Sequence, residues 1–298
     1  MVWKQNVETF LGCESEYDEA EIVLVGAPFD STTSFRPGAR FGPGAIRHES
    51  FGLETYSPYL DKDLSERSVF DGGDLVLPFG STEAALSLIE ERMARILRDE
   101  KLPFLLGGEH LVTLGAVRAA VQKYPELCIL HFDAHTDLRE EYLGVSLSHA
   151  SVIRRCHELV GDGRIFQFGI RSGDRPEFLW AAEGHTVLHK FDFEGLEERA
   201  ESLGQNKTPV YLTIDLDVLD PSVFPGTGTP EAGGVSFPEL MEAMRCVTEH
   251  CRVIGCDVVE LAPALDSSGS STATACKVVR ELLLMLPAPD TKEHEERK

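Results

Sequence analysis

Apolar positions along the chain follow two alternating patterns. Unbroken runs rich in Val, Ile, Leu and Phe occur at 21–28, 103–106, 127–133, 164–170, 209–216 and 252–259, with shorter ones at 68–70 and 186–189. Runs of this kind read as strands buried on both faces of a parallel sheet. Amphipathic stretches lie between them. Thr82 to Arg98 places Ala85, Leu88, Ile89, Ala94, Ile96 and Leu97 on a core-facing side. Residues 111–124, 149–159, 194–203 and 272–285 also read as helices, and a short helix is expected near Pro43. Ser236-Phe237-Pro238-Glu239 has capping-box spacing at the start of another. Strands alternating with helices predict an α/β fold, a mostly parallel central sheet covered on both faces. No linker, repeat or low-complexity tract interrupts it, so 1–298 reads as one domain, with 287–298 as a short charged tail.

The polar positions matter most where the strands stop. The run Ile129-Leu130-His131-Phe132 continues into Asp133-Ala134-His135-Thr136-Asp137, and Val210 to Ile214 continues into Asp215-Leu216-Asp217. Alternate residues of a strand share a face, which groups Asp133, His135 and Asp137, and likewise Asp215 and Asp217. Same-face neighbours on a regular strand stand about 6.5–7 Å apart. For all of them to reach one small site the strands must end and curl there. A third strand runs into Gly107-Gly108-Glu109-His110, where the paired glycines let the backbone pass close to something. A site at the carboxyl ends of parallel strands is the expectation.

Singly, these features are weak. A lone D-x-D is often a turn, and a lone histidine after two glycines is often structural. Here D-x-H-x-D and D-x-D each follow a buried run directly, and such strands do not end in acidic clusters without partners. Four carboxylates and two imidazoles, His110 and His135, then need cations to share one volume. One divalent ion leaves a net charge of about −2, whereas two bring it to about zero. Paired ions about 3.5–4 Å apart acidify a shared water into a nucleophile. Oxygen-dominated ligation with one histidine per ion suits manganese better than zinc.

Composition narrows the class. The net charge of −22 argues against nucleic acid and anionic membranes as partners and is compatible with cationic substrates. Residues 1–9 carry charges and no long apolar segment, and no run of eighteen uncharged apolar residues occurs anywhere, so neither a secretion signal nor a membrane span is expected. The seven cysteines are odd in number and lack C-x-x-C spacing; Cys246, Cys251 and Cys256 recur every five residues. They read as buried thiols in a reducing cytoplasm. Arg36, Arg40 and Arg47, in and after a Gly/Pro-rich loop, read as structural or subunit contacts rather than an anion cradle. G-x-G-x-x-G, phosphate-loop, H-E-x-x-H and G-x-S-x-G patterns are absent.

Three motifs in order resemble the signature of the ureohydrolases, the family of arginases and agmatinases. They are Gly107-Gly108-Glu109-His110, Asp133-Ala134-His135-Thr136-Asp137, and Thr213-Ile214-Asp215-Leu216-Asp217-Val218-Leu219-Asp220-Pro221, which continues into Pro225-Gly226-Thr227-Gly228-Thr229-Pro230-Glu231. The resemblance implies an arginase-like three-layer α/β/α sandwich and two Mn2+ per subunit. His110 and Asp137 would bind one ion and His135 and Asp217 the other, with Asp133 and Asp215 bridging. Asp137 would also hold the bridging hydroxide that attacks the guanidinium carbon. His149, in Ser148-His149-Ala150, corresponds to the proton-shuttling histidine, and Glu260 to the acid that orients the guanidinium. Trimers or hexamers are implied as well.

Arginases carry Asn two residues after the second motif. Here that position is Arg139, and Leu138-Arg139-Glu140, Leu147-Ser148-His149-Ala150 and Gly169-Ile170-Arg171-Ser172-Gly173 resemble the agmatinase branch. The expected substrate is agmatine, yielding putrescine and urea, with Glu140 and Glu141 near the mouth suiting a distal ammonium. Guanidinobutyrate, whose carboxylate Arg139 would suit, competes with it, as do aminopropylagmatine and arginine. A metal-dependent deacetylase would need fewer central carboxylates, and a non-catalytic binding protein would usually have lost a ligand, His149 or Glu260.

Overall fold

The computed structural model describes residues 8–287; the expected tail beyond Pro287 lies outside them. Among the described residues ten strands form in chain order: β1 (Ile22–Ala27), β2 (Tyr56–Ser57), β3 (Lys62–Asp63), β4 (Val69–Asp74), β5 (Leu102–Gly107), β6 (Cys128–Phe132), β7 (Ile165–Ile170), β8 (Val187–Lys190), β9 (Pro209–Asp215) and β10 (Arg252–Val259). The helices are α1 (Gly42–Ser50), α2 (Thr82–Arg98), α3 (Val112–Lys123), α4 (Val152–Val160), α5 (Arg175–Trp180), α6 (Leu196–Gln205), α7 (Phe237–His250) and α8 (Ser270–Met285). Eight strands make one sheet in the order β4-β1-β5-β10-β9-β6-β7-β8, and β2 and β3 form a separate antiparallel hairpin. Every pairing in the large sheet is parallel.

Strand periodicity builds the layers. Ile22 and Leu24 of β1, Phe104 and Leu106 of β5, Leu130 and Phe132 of β6, and Leu212 and Ile214 of β9 enter one core with Ile46 (α1), Leu203 (α6), Leu240 (α7) and Val279 (α8). Their strand neighbours Val23, Val25, Leu105, Ile129 and Tyr211 enter the opposite core with Leu86 and Ile89 (α2), Val117 (α3) and Ile153 (α4). Two cores on two faces of one sheet make the three-layer α/β/α sandwich. Because β5, β10, β9 and β6 are neighbours at its centre, their carboxyl ends face one small region.

The helices differ from expectation in detail. In α2, Leu86 and Met93 turn inward beside Ala85, Ile89, Ile96 and Leu97, while Leu88 is 40% exposed. Ser236 and Glu239 form a reciprocal capping box at the start of α7, as their spacing predicts. The helix expected from His149 starts as a short 3-10 turn, His149–Ser151, before α4. Six cysteines are buried, Cys246 is half-buried, and none of the seven is in a disulfide.

Candidate metal centre

Each candidate ligand stands at the end of one of the four central strands. Beyond β5, the chain passes so close to Phe29 that a Cβ on Gly108 would lie 1.9 Å from the Phe29 carbonyl oxygen. This is the close approach that Gly108 serves, while Gly107 passes Val259, where a Cβ would lie 2.4 Å from Cγ1; together they deliver His110 just before α3. Asp133 directly follows β6. Asp215 ends β9, and Asp217 lies in the next turn, whose carbonyl the Arg171 guanidinium grips at 2.6 Å. Glu260 directly follows β10. Asp137 and Glu260 sit at φ +50° and +68°, in the left-handed region where a side chain costs energy.

The six side chains converge. His110 Nδ1 lies 3.1 Å from Asp133 Oδ2 and 3.3 Å from both Asp137 Oδ2 and Asp215 Oδ2. His135 Nδ1 lies 3.0 Å from Asp217 Oδ2 and 3.5 Å from Asp133 Oδ1. Asp133 therefore offers one oxygen to each histidine, as a bridging carboxylate must. Asp215 is less symmetrical: Oδ2 faces His110, and Oδ1 accepts the Asp217 N–H at 2.8 Å.

The hydrogen-bond pattern leaves space for cations. Thr213 Oγ1 donates to Asp257 Oδ1 at 2.6 Å, so it accepts from His110 Nε2 at 2.9 Å. The proton of neutral His110 is then on Nε2, and the Nδ1 lone pair points among carboxylates. Two buried atoms, His110 Nδ1 and Asp217 Oδ2, lack a hydrogen-bond partner although both face the cluster. Buried polar atoms are rarely left so. Without a cation, burial would lower the His110 pKa, but Asp133, Asp137 and Asp215 hold it well above the usual histidine range. Burial and Asp133 push Asp137 up to about 7, and burial, Asp217 and Asp133 hold Asp215 well above the carboxylate range. A donor set that must keep protons to stay buried fits a divalent pair in their place.

A cavity of about 240 Å3 opens over this cluster, lined by His149, Glu260, Arg139, Tyr142, Asp174 and Glu177 among others. Ser34 N–H reaches His149 Nε2 at 3.3 Å and Ser34 Oγ reaches it at 2.9 Å, so that nitrogen is the acceptor. Burial, with His135 and His110 nearby, lowers the His149 pKa to about 4. Glu260 Oε1 accepts the His110 N–H at 2.7 Å, and burial with Glu109 beside it pushes its carboxyl well up.

Glu140 and Glu141 are exposed and lie outside the cavity lining; the acids on that wall are Asp174 and Glu177. Arg139 lines the cavity, with its guanidinium paired to Asp174 at 2.6 Å, 3.7 Å from Glu177 and over the Tyr142 ring. The three loop arginines act inside the chain. Arg36 donates to the Thr227 and Gly228 carbonyls, Arg40 pairs with Asp30, and Arg47 with Asp71 and Asp74.

Sequence reasoning passed over three groups. Glu109 is fully buried, binds Thr32 and Thr33, and is pushed up to about 7 by burial. Glu177 accepts from Thr136 Oγ1, Leu138 N and Asp174 N. The spacing Asp174-x-x-Glu177 was a readable signal, since it is a capping box. His131 donates from Nε2 to Asp133 Oδ2 at 2.8 Å. Its form is fixed by Gln167: Nε2 of that amide donates to the Thr136 carbonyl at 2.8 Å and to His131 Nδ1 at 3.0 Å, while Oε1 accepts from Thr186. His131 thus carries its proton toward Asp133 and is a partner of the cluster, not a ligand. Its signal was its place two residues before Asp133.

Comparison with known proteins gives the family. The arginase family model matches residues 20–285, and the chain belongs to the arginase family. Members are metal-dependent hydrolases of guanidino C–N bonds with binuclear centres. Among individual relatives, the agmatinase of Bacillus subtilis (strain 168) is 47% identical over 279 residues, 93% of this chain and 96% of that one. A crystal structure of a Clostridium difficile protein is 50% identical with a TM-score of 0.88, covering 91% of this chain and 98% of the other. The crystal structure of an agmatine ureohydrolase from Thermoplasma volcanium is 31% identical with a TM-score of 0.86, covering 94% of both chains.

Proposed function

We propose that this chain hydrolyses agmatine to putrescine and urea. The near-full-length likeness to agmatinases supports that activity. The observation that carries the choice of substrate is the charge of the cavity wall. Asp174 and Glu177 face a single guanidinium, Arg139, with which both interact. Glu177 is held by Thr136, Leu138 N and Asp174 N, so the more exposed Asp174 is the acid open to the distal ammonium of agmatine. Arginine or guanidinobutyrate would bring a carboxylate to the same wall.

His110, Asp133, His135, Asp137, Asp215 and Asp217 are the proposed ligands of two manganese ions, the oxygen-rich set favouring manganese over zinc. Such a pair supplies a water acidified enough to act as nucleophile at neutral pH. The chain's own residues do the rest. Glu260, already fixed by the His110 N–H, accepts guanidinium N–H bonds and orients the reacting carbon. The cation it receives offsets the burial that otherwise keeps it protonated. His149, neutral at pH 7, takes a proton at Nε2 beside Ser34 and passes it to the leaving amine. Arg139 acts through Asp174 and Glu177 to shape the far end of the cavity.

Residues 1–298 are proposed to work as one domain in a homo-oligomer, a trimer or hexamer. Exposed Phe35, Phe41, Val76 and Phe79 support a covered surface. A cytoplasmic location is supported by the seven unbridged thiols. Among the described residues no helix is long and apolar enough to cross a membrane. The test is urea release from agmatine, arginine, guanidinobutyrate and aminopropylagmatine by manganese-loaded and chelated protein. Metal-dependent turnover that prefers agmatine is expected. A clear preference for guanidinobutyrate would overturn the reading of the Arg139 wall.

A further inference from the structure

Outside the cavity lining, three side chains aim their donor atoms at one point. His157 on α4 places Nε2 2.7 Å from Asp162 Oδ1. His185 places Nδ1 2.7 Å from the same oxygen. The three donor atoms lie within 4.8 Å of one another. The chain reaches this arrangement through two glycines in left-handed conformations. Gly161, at φ +85°, ends α4 and turns Asp162 back toward it, and Gly184, at φ +101°, brings His185 round at the end of the widened turn Ala181–His185.

The rings are fixed on their other sides. His185 stacks on Trp180 at 4.4 Å and 18°, and His157 meets Trp180 edge-on at 4.7 Å. The Arg154 guanidinium in turn lies 3.8 Å from the Trp180 ring centre. His185 Nε2 faces Glu183 Oε2 at 3.6 Å. If Nδ1 ligates a metal, that outward N–H meets a carboxylate, the usual way a ligating histidine is oriented. Both imidazoles hold Asp162 below the usual carboxylate range, so it is ionised at neutral pH. Asp162 is largely exposed and both histidines are partly so, which leaves the point open to solvent.

We propose that His157, Asp162 and His185 form a peripheral metal site that takes a zinc-type divalent cation. Two imidazole nitrogens and one carboxylate oxygen, with a fourth position left to water, match zinc preferences better than those of manganese. The cation would replace the two protons now shared with Asp162. It would also tie α4, which follows His149, to the turn after α5, which carries Glu177. Two segments adjoining cavity groups would be clipped together without a ligand in common with the central cluster.

The experiment counts zinc bound per chain after manganese-loaded protein is equilibrated with zinc and desalted. The parent is compared with H157Q/H185Q and with D162N, and affinity is read by competition with a chromophoric chelator. The parent should hold one metal more per chain than H157Q/H185Q, and D162N should bind that metal at least about tenfold more weakly. Urea release by both variants should stay near the parental rate, which shows that they fold. Equal counts in parent and double variant, or unchanged affinity in D162N, would overturn the site. Should the double variant not fold, D162N, altered at an exposed side chain, decides alone.

Discussion

Asp133 divides its two oxygens between the two histidines of the cluster, so its orientation matters as much as its charge. His131 is the side chain that holds one of those oxygens, in a tautomer dictated by Gln167, Thr136 and Thr186. Replacing His131 with Phe should weaken metal binding by about 10–100-fold, the range found when a partner of a metal ligand is lost. Competition with a metal-sensitive chelator reads this directly. Unchanged affinity would mean that the backbone N–H of His135, 2.6 Å from the other oxygen, orients Asp133 alone. At the far end of the cavity, D174N removes a charge from the wall and frees Arg139 from its shortest partner. We expect kcat/KM for agmatine to fall about tenfold, mostly through KM, worth about 1.4 kcal/mol of ground-state binding. Turnover of guanidinobutyrate should rise relative to agmatine. Equal losses on both substrates would place Asp174 in a purely structural role.

At the scale of elements, legibility followed length. The six long strands are buried on both faces, so their apolar runs stood out, and their polar ends marked His110, Asp133 and Asp215, whereas Glu260 was legible only through the family resemblance. α5 escaped notice because six residues show no helical period, and what fixes it is tertiary: Glu177 reaches back to Thr136 and Leu138. The hairpin of β2 and β3 escaped for the same reason, with two residues in each strand. Leu88 was misplaced because apolar residues surround more of α2 than its buried face needs, and only packing decides between Leu88 and Met93. What each glycine approaches was also invisible in sequence: Gly107 meets Val259, and Gly108 the Phe29 backbone, with Gly108 N bonded to the Ala27 carbonyl and Glu109 N to the Phe29 carbonyl. A backbone atom 1.9 Å from a new Cβ cannot rotate away. G108A should therefore cost about 3 kcal/mol or more and shift His110, because overpacking of this kind is relieved only by moving the strand end. Denaturant melts of the metal-free variant measure the first effect and metal affinity the second. A melt within about 0.5 kcal/mol of the parent would show that the two segments separate easily.

For the molecule as a whole, the cluster ties stability to metal and to pH together. Asp137 in the metal-free chain is raised to about 7 by burial and Asp133. A carboxyl raised in the folded state favours folding while it is protonated. That contribution is complete below its unfolded value near 4 and is lost as pH rises through about 7. Metal-free protein should therefore lose part of its stability over that window, as an anion without a partner forms at the centre of the sheet's carboxyl edge. Divalent ions compete for the same site with the proton on Asp137 and with the one that the carboxylates hold on His110. Each proton displaced makes apparent metal affinity rise about tenfold per pH unit. His149, lowered to about 4, acts in the opposite sense, destabilising the fold as pH falls from its usual value near 6.5. Its largest cause, burial, is common to the metal-free and metal-bound chains, and that part cancels from their difference. The gap in melting temperature between manganese-loaded and chelated protein should accordingly be small at pH 5 and widen steadily to pH 8. A gap constant across that range would mean that the cluster binds metal without giving up protons, and that His110 and Asp137 are not both ligands.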